Sequence, residues 1–184
     1  MNNIMLDLET MGSSSDAAIV SIGACFFEPK TGLIGQCFEC VIDLGDAGHY
    51  GDIDGNTVLW WLKQESEARD KLQAIDAMGL GEALHRFRVF VVENAKNNMV
   101  KVWGNGSSFD CVILRNAYKH CIGDVYTPWK YWNERDVRTV VDLGRQLKDI
   151  NPKKDIPFQG IRHSALDDAK HQARYVSHII QSLG

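Results

Sequence analysis

Nowhere does this sequence contain the run of about 18 apolar residues that a membrane-spanning helix needs, and its N-terminus lacks the basic start and long apolar stretch of a signal peptide. Both absences point to a cytoplasmic protein with no membrane partner. No internal repeat, low-complexity tract or long linker is found, which excludes solenoid and disordered architectures. The five cysteines are odd in number, and the C-x-x-C of Cys37 and Cys40 has no second pair to complete a zinc site, so packed free thiols are expected. Nor is there an overall basic excess: the formal charge of −4 argues against a protein that coats long nucleic acid. The charge is uneven, however. Lys130 to Gly184 holds 10 of the 20 basic residues but only 7 of the 24 acidic ones. That suits an enzyme gripping a few nucleotides near one end, although a solvated helix face would read the same way.

What is present is an ordinary globular composition, with 45% hydrophobic and 24% charged residues in 184. This length implies one domain, residues 1–184, with a single core. Residues 3–9, Ala17–Phe27 and Gln36–Asp43 read as strands. The Glu28-Pro29-Lys30-Thr31-Gly32 link carries the residues of a hairpin turn, so the three strands form an antiparallel meander. Helical patterns start at Thr57–Leu62 and recur at Glu82–Asn94, Phe109–His120, Val137–Leu147 and Ala165–Leu183, with a strand at Met99–Trp103 and room for another short one. The fold class is α/β, a mixed sheet with helices on its faces. Gly45–Gly55, rich in Gly and Asp, is the expected mobile loop.

The first strand ends in Asp7-Leu8-Glu9-Thr10, and alternation puts Asp7 and Glu9 on one face. Two like charges at the edge of a buried sheet repel, and a divalent cation relieves them. Near the other end, Ser164 with Asp167 three residues later resembles a capping box, which makes Ser164 the N-cap, Asp167 the capping acid, and His163 and Asp168 spatial neighbours. A metal ligand beside a proton acceptor is one reading of that pair; an acid that favours the helix dipole is the other. Asp110 follows the Gly104–Ser108 link and is either a ligand or a helix-start aspartate.

Together these residues resemble the DEDDh group of 3′ to 5′ exonucleases, the DnaQ-like branch of the ribonuclease H-like fold. The matches are Asp7 and Glu9, then Asp110, then His163 and Asp168 within His163–Ala169. A closer likeness, to Rv2179c-like exoribonucleases and phage exonuclease VIII-like proteins, rests on Asp7–Gly12, on Trp60–Gln64 with Ser66–Arg69, and on Trp132–Thr139. The resemblance implies a five-stranded ribonuclease H-like sheet and a two-metal site. Asp7 would bridge two Mg²⁺ or Mn²⁺ ions, Glu9 and Asp168 would complete one, and Asp110 would hold the second. His163 would take the proton of the attacking water, a role its reference pKa of about 6.5 suits. The substrate would be the 3′ end of single-stranded RNA or DNA, with RNA slightly favoured, and the products nucleoside 5′-monophosphates.

Thr10, Met11, Trp60, Trp61, Asn105, Ser108, Phe109 and Arg138 are the candidate substrate contacts. Asn105 lies five residues before Asp110 where the family often has an asparagine four before. Adjacent Trp60 and Trp61 point about 100° apart on a helix, so one can pack while the other meets substrate. Trp103, Trp129, Tyr131 and Trp132 lean toward packing, and exposed aromatics with family habit suggest a homodimer. The readings that compete with an exonuclease are a catalytically silent nucleic-acid-binding or proofreading module and a small phosphoester metallohydrolase.

Overall fold

The computed structural model describes residues 1–123 and 127–184. Strands β1 (Asn3–Thr10), β2 (Ile19–Glu28) and β3 (Leu33–Val41) form the meander, followed by short helices α1 (Leu44–Ala47), α2 (Gly55–Trp61) and α3 (Ser66–Lys71), then α4 (Leu80–Asn94). Strand β4 (Lys101–Gly104), helix α5 (Asp110–Ile122), strand β5 (Glu134–Asp136) and helices α6 (Val137–Lys148), α7 (Pro152–Asp155) and α8 (Ala165–Leu183) complete the chain. One five-stranded sheet results, in the order β3-β2-β1-β4-β5. β1 pairs antiparallel with β2 and β2 with β3, whereas β4 runs parallel to both β1 and β5.

Alternation along β1 decides which side chains meet which layer. Ile4, Leu6 and Leu8 join the core built with Ala83, Leu84 and Phe87 of α4 and Ile113 and Leu114 of α5. Met5 faces the other way, into the cluster formed with Val137 of α6 and Ala169, Ala173 and Val176 of α8. Asp7 and Glu9 therefore share the α8 side of the sheet with Met5. Because helices cover both faces, all of β2 but its last residue is buried, which explains its unbroken apolar run.

Glycine sets the contact between the layers at one position. Gly23 stands opposite Asp7 in the β1–β2 register, and a Cβ there would lie 2.1 Å from the backbone of Ala165 and Leu166. The first turn of α8 thus rests directly on β2, a close approach that a glycine inside a strand often marks.

Several expectations need correction. Leu44–Ala47 is helical, and the chain after it is pinned by bonds from the Asp52 amide to the Asp16 carbonyl and from the Asp54 amide to the Met11 carbonyl, so Gly45–Gly55 is not a loose loop. Asp43 lies outside β3 and caps α1 instead, accepting the Asp46 amide. α3 and α7 are too short to leave a periodic signal. Cys37 is exposed, while Cys25, Cys40 and Cys111 are buried, and all are free. Trp103 and Trp129 pack as expected, but Tyr131 and Trp132 are 68% and 58% exposed. Their short turn precedes a three-residue edge strand and offers no second layer to cover them. Among the described residues no helix is long and apolar enough to cross a membrane.

Candidate active site

β1, the start of α5 and the start of α8 deliver four carboxylates to one edge of the sheet. Asp7 and Glu9 come from the C-terminal half of β1. Asp110, the first residue of α5, is buried against them: its Oδ1 accepts the Leu8 amide at 3.2 Å and its Oδ2 the Asn105 amide at 3.1 Å. Gly104 makes room for that carboxylate, since a Cβ there would be 3.1 Å from its Oδ2. Asp168 lies in the first turn of α8, and its Oδ2 accepts the His163 amide at 2.8 Å.

His163 precedes the helix with φ of 63°, a left-handed conformation that costs a non-glycine residue energy and that the surrounding contacts must hold. Glu9, His163 and Asp168 each offer a ligand atom, and these atoms lie within 4.8 Å of one another.

The capping box does not form. Ser164 is the N-cap, but its hydroxyl donates to Glu39 Oε1 at 3.3 Å and accepts no helix amide. Asp167 instead accepts the Ile161 amide at 2.9 Å and packs on Gly160, whose φ is 110° and whose Cβ, if present, would strike the Asp167 carboxyl at 2.4 Å. Asp167 thus braces the segment that carries His163, a tertiary task that outweighs local capping.

The electrostatics follow from crowding and burial. Desolvation, then the charges of Asp110, Glu9 and Asp168, push Asp7 well above the carboxylate range, against one relieving hydrogen bond from Gln172. Burial and the charges of Asp168 and Asp110 raise Glu9 to about 9. Asp110 rises to about 7 through burial, although the amides of Leu8, Asn105 and its own residue, with Arg138, pull it down. Asp168 is raised by burial in spite of the His163 amide, the His163 ring and Arg162.

Gln172, one helical turn beyond Asp168, donates Nε2 to Asp7 Oδ1 at 2.7 Å. Its Oε1 is buried without a partner among the described residues, so the site holds more acceptors than donors. Hard oxygen ligands in excess, all unfavourable as bare anions, fit a divalent cation. Gln172 was not anticipated from the sequence, yet its spacing of four from Asp168 puts both on one helix face.

The other predicted residues divide. Trp61 is buried and donates Nε1 to the Thr10 carbonyl at 3.0 Å, anchoring α2 to the end of β1. Trp60 is 42% exposed, and its ring lies edge-on at 4.9 Å from that of His163. Arg138 packs its guanidinium over Gly106, whose φ is 98°, and Asn105 lies beside Asp168 in the wall of a cavity. Thr10 is buried with its hydroxyl on the Gly12 carbonyl, and Met11 lines a mainly apolar cavity with Val58 and Trp61. Ser108 is exposed in the turn before α5, and Phe109 packs partly on the core. Asp136, which sequence reasoning missed, caps α6 through the Thr139 amide and also accepts the Ser107 amide, both at 2.8 Å, tying the Asn105–Asp110 turn to β5.

Residues 2–180 match the family model of the 3′-5′ exoribonuclease Rv2179c-like domain. The chain belongs to this family. It is accordingly a 3′-5′ exonuclease domain acting on nucleic acid. An exodeoxyribonuclease of Enterobacteria phage T4 is 25% identical over 170 residues, covering 82% of this chain and 75% of the phage protein. In fold the chain is similar to the nuclease domain of 3′hExo, a DEDDh family member bound to rAMP, with a TM-score of 0.67 and 13% identity over 98% of this chain and 92% of that one. The S. pombe Pop2p structure, in its Mg²⁺- and Mn²⁺-bound form, matches at a TM-score of 0.61 with 13% identity, over 97% and 82% of the two chains.

Proposed function

We propose that this exonuclease hydrolyses single-stranded RNA from its 3′ end in a two-metal site and releases nucleoside 5′-monophosphates. The observation that carries the reading is the convergence of Asp7, Glu9, Asp110 and Asp168 with His163 beside them. Four clustered acids repel a polyanion, so they serve a binding module poorly and a metal-assisted hydrolase well. Asp7, Glu9 and Asp168 would hold one divalent ion, and Asp7 with Asp110 a second. When bound, such ions offset the charge of the phosphate and acidify water.

The chain's own groups do the rest. The His163 ring accepts the proton of the attacking water, with the Asp168 carboxylate holding its backbone in place. Gln172 fixes one oxygen of Asp7, and the other would be available to a metal ion. Trp60, exposed beside His163, offers a face for the terminal base, a contact worth roughly 1 to 3 kcal/mol. RNA is favoured by the family description and by the rAMP complex of 3′hExo, while the phage relative is named for DNA. A homodimer through the exposed Tyr131 and Trp132 is a separate proposal, tested by sedimentation of the wild type and Trp132→Ser.

The deciding experiment incubates the protein and Asp7→Ala with 5′-labelled RNA and DNA of one sequence, with Mg²⁺, Mn²⁺ or EDTA. The expected result is an RNA ladder that shortens stepwise and is lost with EDTA and in the variant. Preferential shortening of DNA would overturn the choice of sugar, and metal binding without cleavage of either polymer would overturn the reading.

A further inference from the structure

Beside the carboxylates, between α6, the segment following α7 and α8, lies a cavity of about 590 Å³ that the reaction as described leaves unused. Three guanidinium groups converge on it: Arg138 and Arg145 from α6 and Arg162 from the segment that leads to His163. Among the described residues none of the three makes an ion pair, and the one carboxylate in the lining is Asp168. Arg138 and Arg162 act at longer range on Asp110, Asp136 and Asp168, but no carboxylate of the described residues closes on any of the three in a direct pair.

Arg138 and Arg145 are seven residues apart, two turns along the same face of α6, so their Cα atoms are separated by about 10 Å along the axis. Together with Arg162 they spread positive charge along the cavity wall. Arg162 is held over the Phe158 ring at 4.8 Å, and Phe158 in turn packs edge-on against His171 with ring centres 5.0 Å apart. The wall thus combines fixed positive charge with an aromatic surface, the pairing that tracks a single strand without reading its sequence.

We propose that this cavity binds the sugar-phosphate backbone of the strand next to the scissile phosphate, with Arg138, Arg145 and Arg162 on successive phosphates and Phe158 against a base. The inference rests on the exonuclease reading, because Asp168 is the point where cavity and acidic cluster meet. It makes chain length a determinant: an oligonucleotide that fills the cavity is held better than a dinucleotide, whatever its bases.

The test measures binding of a labelled oligouridylate to the wild type, Arg145→Gln and Arg162→Gln in EDTA, where no turnover occurs, across a range of salt concentrations. Each variant is expected to lower the slope of log affinity against log salt by about 0.7, the value for one phosphate contact to a single strand. Arg145→Lys, which keeps the charge, is expected to restore most of it. Binding of a nucleoside monophosphate, measured alongside, is expected to be unaffected. Unchanged slopes in both glutamine variants that still melt cooperatively overturn the inference, and so does a loss confined to the monophosphate, which would make the cavity a mononucleotide site. Wild-type cleavage of the same oligonucleotide with metal separates the outcomes: cleavage with unchanged slopes removes the subsite alone, whereas absent cleavage removes the exonuclease reading beneath it.

Discussion

A cluster of four carboxylates and a lone aspartate at the same end of the sheet experience opposite fates. In the cluster of Asp7, Glu9, Asp110 and Asp168, burial raises every member, and the charges of neighbouring acids raise Asp7 and Glu9 further. Asp136, at the end of β5, is also pushed up by partial burial, but the amides of Ser107 and Thr139, the Thr139 hydroxyl and the Arg138 charge outweigh that and hold it low. Asp136 is a satisfied acceptor that organises a turn, whereas the cluster is short of positive charge. The contrast separates a structural aspartate from carboxylates whose burial a cation would relieve, although both sit at strand ends or helix starts.

Removing a ligand should break the contrast most strongly. Asp7→Asn is expected to lower exonuclease turnover on the order of a thousandfold, read from initial rates on labelled RNA, while raising the melting temperature of the metal-free protein, because one repelling charge leaves the cluster. His163→Ala should lower turnover by roughly 10² to 10⁴ with little change in strand affinity. Equal losses in both would count against a base role.

Stability comes next. Gly23→Ala forces α8 away from β2, and overpacking of this kind costs about 1 to 3 kcal/mol. Denaturant unfolding should show that cost together with weaker metal binding, as Asp168 withdraws from Asp7. Asp136→Ala removes the cap of α6 and its hold on the Ser107 amide and should cost about 1 kcal/mol, with a far smaller loss of divalent-ion affinity than Asp7→Asn.

The last test is the most direct comparison. Glu9 binds its proton more tightly in the folded chain, so its contribution is fully present below pH 4.5 and is lost as pH rises toward 9. Asp136 acts in reverse: its contribution is present above 3.8 and is lost as pH falls below that value. Thermal melts of the metal-free protein should therefore decline gently from mildly acidic to alkaline pH, and saturating Mg²⁺ or Mn²⁺ should flatten the decline. A metal-free protein that gained stability over that range would contradict the account of the cluster.

Much of this arrangement was legible beforehand because it depends on short spacings. The pair Asp7 and Glu9 follows from strand alternation, Asp110 from its place after a glycine-rich turn, and the split between Trp60 and Trp61 from helical geometry. Local rules failed where a distant partner competed for the same atoms. Asp167 has the spacing of a capping acid, yet the Ile161 amide claims it. Asp43 continues an alternating pattern but ends as the cap of α1. Tyr131 and Trp132 have core composition, but no layer lies over the edge strand they introduce.

The sequence by itself determined the meander, the helical segments that follow and the shared face of Asp7 and Glu9, since these depend on periodicity within a few positions, while Asp110, His163 and Asp168 were singled out by the family resemblance. Only the tertiary structure decided that Gly23 would admit the start of α8, that Gln172 would clasp Asp7 across 165 positions, and that three arginines would face one cavity. Those outcomes depend on which surfaces come into contact when the sheet is covered, and such contacts join residues far apart in the chain whose pairing no local pattern encodes.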